Sequence, residues 1–459
     1  MAQAQATNSI QSDYMEQFAK SHALSDRANQ AIAGGIAHDG RFTRPFPVYV
    51  THADGAHKFD VDGHELIDFA MGHGALILGH NDPDVAAAVT AQYPKGTHFG
   101  ACHEIEIEWA EQIQRLIPSA ERVRFTSSGT ESTMLAIRLA RAYTGKDQVV
   151  KFEGHFHGWN DYLIKGEKTP FDAPHIAGVP DATLGTVTVL PANDAALVDD
   201  RLSQGDVAAV IIEPSGASWS TIPLAEGFLA SLREITNKHG VVLIFDEVIT
   251  GFRWAPGGAQ GRFGIEPDMT TLAKIVAGGL PGGAVAGKHE IMAHLEFRDD
   301  PVWMKTKKVI HPGTYNANPL AAAAGVATLK KCANPAVQAH CDRLAAKIRA
   351  GMNASLVHNE IPGAVWGEAS AFHMFVGGKI TNRTSADLRM PEGVTPAELK
   401  SSGGTPLSGL VKLGMLLEGV DLFAGGGLLS VAHTDADADK AIGAFDRVLQ
   451  RFVNDGIVE

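Results

Sequence analysis

The chain has 459 residues, of which 45% are hydrophobic, so it can build a large core and we expect more than one domain. Its formal net charge is −13, which argues against nucleic acid or an anionic membrane surface as the main partner. Three scattered cysteines, the absence of a secretory pattern in MAQAQATNSIQSDYMEQ and the lack of a membrane-length apolar run predict a cytoplasmic protein without a disulfide framework.

The first predicted element is a β-hairpin in the segment AHKFDVDGHELIDF, with its turn at Asp62-Gly63. Short β-branched runs then alternate with helical patterns through the middle of the chain. The predicted strands cover residues 122–125, 149–154, 186–191, 207–214 and 241–247. The clearest helical patterns are TESTMLAIRLARAYTG and AEGFLASLREITNKHG, which should end at Gly145 and Gly240. This alternation predicts an α/β fold with a mostly parallel sheet.

Helical patterns dominate the C-terminal part of the chain, beginning with PAVQAHCDRLAAKIRAGM. Thr434 and Asp437 have the spacing of a capping box at the start of a last amphipathic helix. The apolar face of that helix should hold Ile442, Phe445, Leu449 and Phe452. We predict a large domain of residues 71–329 and a smaller α+β domain built from both chain ends, residues 1–70 and 330–459.

Polar groups follow the predicted strands at the edge where open α/β sheets bind ligands, beyond the carboxyl ends of the strands. Ser128, Gly129 and Thr130 follow the first of these strands and begin a helix, which is either an ordinary N-cap or an anion site. Another strand leads into EGHFHG (153–158), and a third into Glu213. The strand VVLIF delivers Asp246, a carboxylate in a buried setting that needs a positive partner.

Lys274 is the candidate partner, because it lies in the apolar stretch TLAKIVA, 28 residues after Asp246. A buried lysine with a lowered pKa is the nucleophile that a Schiff base requires. An acid after a strand, a buried lysine, a helix start for phosphate and an aromatic ring for stacking together describe the needs of pyridoxal phosphate.

The chain resembles the class III aminotransferases of the fold-type I pyridoxal-phosphate superfamily, and within them the glutamate-1-semialdehyde 2,1-aminomutase subgroup. The resemblance rests on the order and spacing of six motifs. They are SSGTES (127–132), KFEGHFHGWND (151–161), IIEP (211–214), FDEVITGFR (245–253), PDMTTLAK (267–274) and GTYNANPLAAAAG (313–325). The resemblance implies a fold-type I transferase with pyridoxal 5'-phosphate as its cofactor.

The resemblance also implies roles for individual residues. Lys274 would form the Schiff base with the cofactor and then move a proton between substrate and cofactor carbons, while Asp246 would hold the ring nitrogen protonated. Val248 and Phe156 would cover the two faces of the ring. The other implied cofactor-binding residues are Ser128, Gly129 and Thr130 at the phosphate, Glu213 and His157 near the cofactor, and Gly313 and Thr314 at the phosphate of the neighbouring subunit. The last two imply a homodimer with a shared active site.

Two other patterns suggest different sites. His155 and His157 have the spacing of a metal-binding pair, but no second cluster with suitable spacing accompanies them, and we predict no metal. The segment GGAVAGKH (282–289) is nearly a phosphate loop, yet His289 stands where Ser or Thr should bind magnesium. We therefore do not predict a nucleotide site there.

For the substrate, Arg41 lies six residues after Gly35, at the offset of the aminomutase arginine that binds a carboxylate, and Arg44 is the alternative. The segment GVDLFAGGGLLSVAHT (419–434) has neither the gating arginine of many class III aminotransferases nor the glutamate of the aminomutases. Its glycine run should be mobile. Ser127 and Ser218 stand where asparagine is usual.

We predict an aminotransferase that exchanges an amino group between an amine or amino acid and an oxo acid by a ping-pong mechanism. The first alternative is the aminomutase, which makes 5-aminolevulinate within one substrate skeleton. A third is a non-catalytic relative that binds a phosphate-bearing ligand, against which the presence of both Lys274 and Asp246 argues.

Overall fold

The computed structural model describes residues 9–378, 380, 391, 393–401, 407–423 and 425–458. Fifteen β-strands lie in this part of the chain. In chain order they are β1 (Val50–Asp54), β2 (His57–Asp60), β3 (Glu65–Asp68), β4 (Arg122–Thr126), β5 (Gln148–Phe152), β6 (Val187–Leu190), β7 (Val207–Ile212), β8 (Ile222–Pro223), β9 (Val242–Asp246), β10 (Met269–Ala273), β11 (Gly283–Gly287), β12 (Gly363–Trp366), β13 (Ala371–Val376), β14 (Val420–Asp421) and β15 (Gly426–Leu428).

The helices of the described residues range from single turns to a helix of 23 residues. In chain order they are α1 (Ser9–Gln17), α2 (Ala19–Ala31), α3 (Met71–Gly74), α4 (Pro83–Gln92), α5 (Glu104–Leu116), α6 (Gly129–Thr144), α7 (Asp181–Leu184), α8 (Ala195–Ser203), α9 (Ala217–Ser220), α10 (Phe228–His239), α11 (Gly258–Phe263), α12 (His289–Met292), α13 (Pro301–Thr306), α14 (Pro319–Cys332), α15 (Ala336–His358), α16 (Pro396–Leu399), α17 (Ser408–Leu417) and α18 (Asp435–Asn454). In this part of the chain, no helix combines the length and the apolar character needed to cross a membrane.

A seven-stranded sheet forms the centre of the molecule, in the order β4-β11-β10-β9-β7-β5-β6. Strands β6, β5, β7, β9 and β10 run parallel, and β11 runs antiparallel to both β10 and β4. Every residue of β7 and β9 is buried, as expected for parallel strands covered on both faces. The predicted α/β fold with a mostly parallel sheet is confirmed, and its carboxyl edge collects the polar groups that follow the strands.

The five predicted strands of the central region are all present, as β4 to β7 and β9, but the sequence did not indicate β10 or β11. Strand β11 has the sequence GAVAG, whose small residues carry little β-propensity. A side chain at Gly283 would come within 2.7 Å of the Thr126 hydroxyl, so close packing against β4 requires glycine there. Because residues 283–287 form this buried strand, the GGAVAGKH segment is not a phosphate loop.

Helix boundaries follow the predicted signals. The Ser128 side chain accepts a hydrogen bond from the Glu131 N–H at the start of α6, and Gly145 ends the helix with φ of 69°. Gly240 ends α10 in the same way, with φ of 61°. The Thr434 and Asp437 capping box of α18 is present as well.

Two smaller sheets combine segments from both ends of the chain. The predicted hairpin is formed by β2 and β3, and β14 adds to it in parallel, giving the order β1-β2-β3-β14. The other sheet has the order β12-β13-β15. This arrangement matches the smaller α+β part predicted from both chain ends, while the boundaries near residues 70 and 330 stay predictions. The glycine run expected to be mobile contributes Gly426 and Gly427 to β15, where they pair with β13.

Candidate active site

Asp246 ends β9 at the carboxyl edge of the large sheet, and its side chain is buried. Its Oδ1 accepts hydrogen bonds from the Val248 N–H at 3.1 Å and from the Thr271 hydroxyl at 3.2 Å. Its Oδ2 lies 2.7 Å from Nδ1 of His157. Burial raises the pKa of Asp246, and the hydrogen bond from Val248 and the charge of Lys274 oppose that rise. The carboxylate is thus oriented by neutral groups and can still accept a cationic partner.

Lys274 follows β10, the strand next to β9, and begins a short 3-10 helix, Lys274–Ala277. Its backbone is left-handed, with φ of 58°, which costs a non-glycine residue roughly 1–2 kcal/mol. Burial lowers the pKa of its ammonium group, and the charges of Asp246 and Glu213 oppose that fall. Within the described residues, its amino group has no hydrogen bond or ion pair. The lysine is therefore both strained and free to react.

The start of α6 lies directly against these two elements. A β-carbon built at Gly129 would lie 3.1 Å from both methyl groups of Val248 and 3.5 Å from the β-carbon of Ala273. The helix has 16 residues, so its first N–H groups and its dipole favour an anion beside Val248 and the lysine segment. The structure thus brings Gly129 next to Val248, while the roles of Ser128, Gly129 and Thr130 at a phosphate stay predictions.

Glu213 follows β7 and organises the loops on this edge of the sheet. Its Oε1 accepts the N–H of Phe156 at 2.8 Å and that of Ser218 at 3.1 Å, and its Oε2 accepts the N–H of Trp219 at 3.1 Å. Burial raises the pKa of Glu213 to about 7. The loop it holds is tightly placed, because a side chain at Gly158 would overlap the Thr130 hydroxyl. The ring of Phe156 is 45% exposed and can cover a ligand bound at the edge.

The two histidines of this loop have different partners. His157 bonds to Asp246 through Nδ1, and its buried Nε2 has no partner among the described residues. Burial holds the pKa of His157 well below its ordinary value, so the neutral ring donates from Nδ1 to the carboxylate. His155 instead accepts the Glu213 N–H at 3.1 Å through its own Nδ1. Both Nδ1 atoms are engaged, which does not favour the metal-pair alternative.

The loop that contains Gly313 and Thr314 is exposed. The carbonyl of Thr314 accepts a hydrogen bond from Nε2 of His98 at 2.5 Å, and Asn316 Oδ1 lies 3.5 Å from the Ser127 hydroxyl at the start of α6. The single chain therefore brings Asn316, rather than Gly313 or Thr314, next to its own phosphate-type loop. Their role at the phosphate of a neighbouring subunit stays a prediction.

Arg41 is exposed on a short 3-10 helix, Asp39–Arg41, that lies beside His73. Burial, the neighbouring His38 and the charges of Arg41 and Lys274 lower the pKa of His73 to about 4. The backbone next to Arg41 does reach His73, because a β-carbon built at Gly40 would lie 3.9 Å from His73 Nε2. The guanidinium of Arg44 instead lies 5.7 Å from the ring of Phe42. This geometry favours Arg41 over the alternative.

The sequence did not indicate three groups at this edge. His73 belongs to α3, where Met71, Gly72, His73 and Gly74 all have positive φ, and only the MGHG glycines could have signalled it. The Lys400 amino group donates to the Ser218 hydroxyl at 2.8 Å, and its polar segment carries no signal of a site. Lys151 is completely buried in β5 and donates to the carbonyls of His155 and Leu163 at 3.0 and 2.6 Å. Burial lowers the pKa of Lys151 to about 7.

The chemistry that this edge supports is that of a pyridoxal-phosphate enzyme, because the cofactor needs a free amine for its aldehyde and a carboxylate for its ring nitrogen. The residues fit the cofactor: the amine of Lys274 is unpaired among the described residues, and Asp246 is held by neutral donors. The family model described as Aminotransferase class-III matches residues 40–379, and the chain belongs to this family.

Relatives include both a mutase and transferases. A glutamate-1-semialdehyde 2,1-aminomutase from Sulfurisphaera tokodaii is 40% identical over 373 residues, which are 80% of this chain and 87% of that protein. A crystal structure of an omega-transaminase from Sphaerobacter thermophilus is 35% identical with a TM-score of 0.83, over 94% of this chain and 97% of that one. The β-phenylalanine aminotransferase from Variovorax paradoxus is 28% identical with a TM-score of 0.81, over 96% of both chains.

These comparisons confirm the predicted family, the fold-type I architecture and the pyridoxal 5'-phosphate cofactor. They also confirm that the chain is an enzyme of the aminotransferase and aminomutase family. The roles of the individual residues stay predictions, as do the homodimer and the cytoplasmic location.

Proposed function

We propose that this enzyme is an aminotransferase that moves an amino group between an amine or amino acid and an oxo acid in two half-reactions. The observation that carries the proposal lies in residues 419–434, where Phe423 stands beside His73 and Trp219. The acid of this segment, Asp421, forms an ion pair with Lys58 and is not directed at the site. A segment without an arginine or a glutamate at this place has no charged gate to retain an intermediate between the two halves of an intramolecular transfer.

In this proposal, bound pyridoxal phosphate supplies an aldehyde for the amino group and a ring that takes up electrons. Asp246 would stabilise the proton on the ring nitrogen, and the hydrogen bond from His157 would keep the Asp246 carboxylate in position. The amino group of Lys274 moves the proton between carbon atoms, which its lowered pKa suits at neutral pH. The N–H groups at the start of α6 would bind the phosphate, and Val248 and Phe156 would confine the ring.

We also propose that Arg41 binds the substrate carboxylate, because a guanidinium fork matches a carboxylate in geometry and charge. The enzyme would act in the cytoplasm as a homodimer in which Gly313 and Thr314 of one subunit complete the site of the other. Large apolar side chains near that loop support the dimer, since Tyr315 is 62% exposed and Ile310 is 73% exposed.

The second candidate is the intramolecular aminomutase, and the 40% identity to the Sulfurisphaera tokodaii protein favours it. The two reactions differ in what leaves the enzyme. A transferase releases an oxo product after the first half-reaction, whereas a mutase returns the amino group to the same carbon skeleton.

The test is a single half-reaction, in which cofactor-loaded enzyme receives one amino donor without an acceptor. We expect loss of the visible cofactor absorbance, release of about one oxo product per site and recovery of the absorbance when a different oxo acid is added. Conversion of glutamate-1-semialdehyde to 5-aminolevulinate over many turnovers, with no donor that changes the absorbance, would establish the mutase instead.

A further inference from the structure

A lysine from the C-terminal part of the chain, Lys400, reaches the carboxyl edge of the large sheet. It directly follows α16, which begins with a capping box of Thr395 and Glu398. Leu399 of this helix packs against the apolar cluster that contains Trp366, which anchors the segment to β12. Lys400 lies beyond residues 40–379, the part of the chain that the aminotransferase model matches. Its contacts, and not the family match, indicate what it does.

The side chain of Lys400 lies between two loops of the site. Its amino group donates a hydrogen bond to the Ser218 hydroxyl at 2.8 Å, in the loop after β7. A β-carbon built at Gly154 would lie 3.2 Å from the γ-carbon of Lys400, so the aliphatic part of the lysine packs against the loop after β5. That second loop continues into Phe156. Lys400 thus contacts both of the loops that Glu213 holds.

Glu213 holds these two loops through three hydrogen bonds. It accepts the N–H groups of Phe156, Ser218 and Trp219. Ser218 and Trp219 have φ of 49° and 46°, a left-handed backbone that persists in residues other than glycine only where the surroundings hold it. Lys400 adds one more bond to this turn, on the side chain of Ser218. The lysine and the carboxylate therefore fix the same turn from two sides.

The charges of Lys400 and Glu213 support one another. An ionised carboxylate is a stronger acceptor for N–H groups than a protonated one. Burial raises the pKa of Glu213 to about 7; the hydrogen bond from Phe156 and the charge of Lys400 oppose that rise, and the charge of Asp246 adds to it. Burial lowers the pKa of Lys400, and the charges of Glu213 and Glu167 oppose that fall. Each group thus favours the ionised form of the other.

Other titratable groups also face Glu213. Nδ1 of His155 lies 3.9 Å from its Oε1, but burial holds the pKa of His155 well below its ordinary value, so that ring is neutral. Burial lowers the pKa of Lys151 to about 7, so Lys151 carries only part of a charge at neutral pH. Lys274, whose pKa the charge of Glu213 affects, is the residue that would join the cofactor. Lys400 differs from both lysines because it comes from a segment outside the sheet and its loops.

We propose that Lys400 is a positioning residue of the cofactor site, which fixes the Ser218 side chain and keeps the Glu213 carboxylate ionised, so that Glu213 holds the Phe156 loop and the turn at Ser218 and Trp219 in place. This inference goes beyond the proposed transferase function. It concerns cofactor binding and applies equally to a transferase and to a mutase, so it can fail or succeed independently of that choice.

Equilibrium ultrafiltration of the cofactor-loaded enzyme tests the inference without turnover. It measures the cofactor dissociation constant as a function of pH, and visible circular dichroism reports how firmly the site holds the ring. Because Glu213 must be ionised, its contribution to affinity is present above its pKa and is lost as the pH falls through it. Lys400→Met removes the cation and keeps the length of the side chain. The midpoint of the loss should then move to higher pH by roughly 0.5–1 pH unit.

Matched variants separate the charge of Lys400 from its other contacts. Lys400→Arg keeps the charge and should keep the native midpoint, whereas Lys400→Gln can still bond to Ser218 and should show the same shift as Lys400→Met. Lys238→Met, at a lysine whose side chain is 61% exposed, should leave the midpoint unchanged. Glu213→Gln removes the titrating carboxylate, so Lys400→Met should cause no further shift in that background.

The inference is overturned if the midpoint in Lys400→Met and Lys400→Gln stays at its native pH. A shift of the same size in the Glu213→Gln background would also overturn it, because Lys400 would then act on another group. A midpoint in Lys400→Arg as high as in Lys400→Met would exclude the charge as the cause. Equal loss of affinity at every pH would give Lys400 a purely structural role and contradict the inference as well.

Discussion

Asp246 illustrates how one buried carboxylate can be prepared for a cationic ligand. Its two oxygens are occupied by a backbone N–H, a hydroxyl and a neutral imidazole, so its position is fixed while its charge stays uncompensated by direct contact. Burial makes that charge unfavourable in the protein alone. A protonated ring nitrogen would relieve this cost, because opposite charges at short range favour both ionised forms.

Asp246→Asn should retain the cofactor and lose most of the rate, with a barrier higher by several kcal/mol, as expected when a preorganised charge is removed. The amide cannot stabilise the proton on the ring nitrogen, and its NH₂ group would face His157 Nδ1. Cofactor absorbance and single-turnover rates measure the two effects. Asp199→Asn, at an exposed carboxylate, is the control. Near-normal turnover in Asp246→Asn would mean that another residue pairs with the ring.

Arg41→Ala should weaken the binding of carboxylate-bearing donors by roughly 1.5–3 kcal/mol, the scale of a charged hydrogen bond. Plain amines should be barely affected, because they lack the group that the guanidinium binds. The kcat/KM values for both donor classes measure the difference. Arg44→Ala is the matched variant, and a selective loss there instead would assign the carboxylate to Arg44. Equal loss for both donor classes in Arg41→Ala would indicate a structural role.

At the scale of elements, the four-stranded sheet β1-β2-β3-β14 joins the two ends of the chain through a buried charge cluster. The Lys58 amino group in β2 contacts Asp421 in β14 and lies 3.2 Å from Asp68 at the end of β3. The lysine and Asp68 are 12% and 3% exposed, so the cluster is largely removed from water. Burial opposes the charge of Asp68, but the hydrogen bond from His80 and the charge of Lys58 hold its pKa well below its ordinary value.

Lys58→Met should destabilise the fold by roughly 3 kcal/mol at pH 7, because it leaves two carboxylates together without their cation. In the variant the pKa of Asp68 rises because the charge of Lys58 is lost, so the folded state binds more protons and the stability deficit shrinks as the pH falls towards 4. Urea unfolding at the two pH values measures this. Lys238→Met removes an exposed ion pair with Asp199 and should cost no more than about 1 kcal/mol. A pH-independent deficit in Lys58→Met would contradict the electrostatic explanation.

Some elements and site residues could be predicted from the sequence, and others could not. Asp246 and Lys274 could be predicted from the sequence because each is a charged residue in or at the end of an apolar run, where burial of the charge is unfavourable. Strand β11 was not, because its small residues are selected by the close approach of β4. The left-handed turn at Met71–Gly74 was missed for a related reason: Arg253 holds the Gly74 carbonyl from 179 residues away. Contacts between segments far apart in the sequence determine strand β11 and this turn, so a local sequence pattern does not predict them.

At the scale of the whole molecule, we propose that two subunits build each active site. Gly313 and Thr314 are exposed in the single chain, and Asn316 takes the nearest place at the chain's own phosphate-type loop. Exposed apolar side chains of this loop, among them Tyr315 at 62%, make a bare surface of this kind unfavourable in water.

Mixing two inactive variants tests the shared site. Lys274→Ala lacks the reactive amine, and Thr314→Glu should repel the phosphate across the interface. In a hybrid dimer, one site would combine native Lys274 from one subunit with native Thr314 from the other, so activity should reappear on mixing and subunit exchange. Each variant alone should stay inactive. If Thr314 serves its own subunit, both sites of the hybrid are defective and mixing restores nothing.

The central claim is that Lys274, among the lysines at this edge, is the residue joined to the cofactor. Lys151 is the internal comparison: burial lowers its pKa as well, but two carbonyls hold its amino group, whereas Lys274 has no such partner in the described part of the chain. Borohydride reduction of the yellow, cofactor-loaded enzyme followed by peptide mapping distinguishes them. We predict that the label lies on Lys274 and is absent from Lys274→Ala. A label on Lys151, or on any other lysine, would contradict the account.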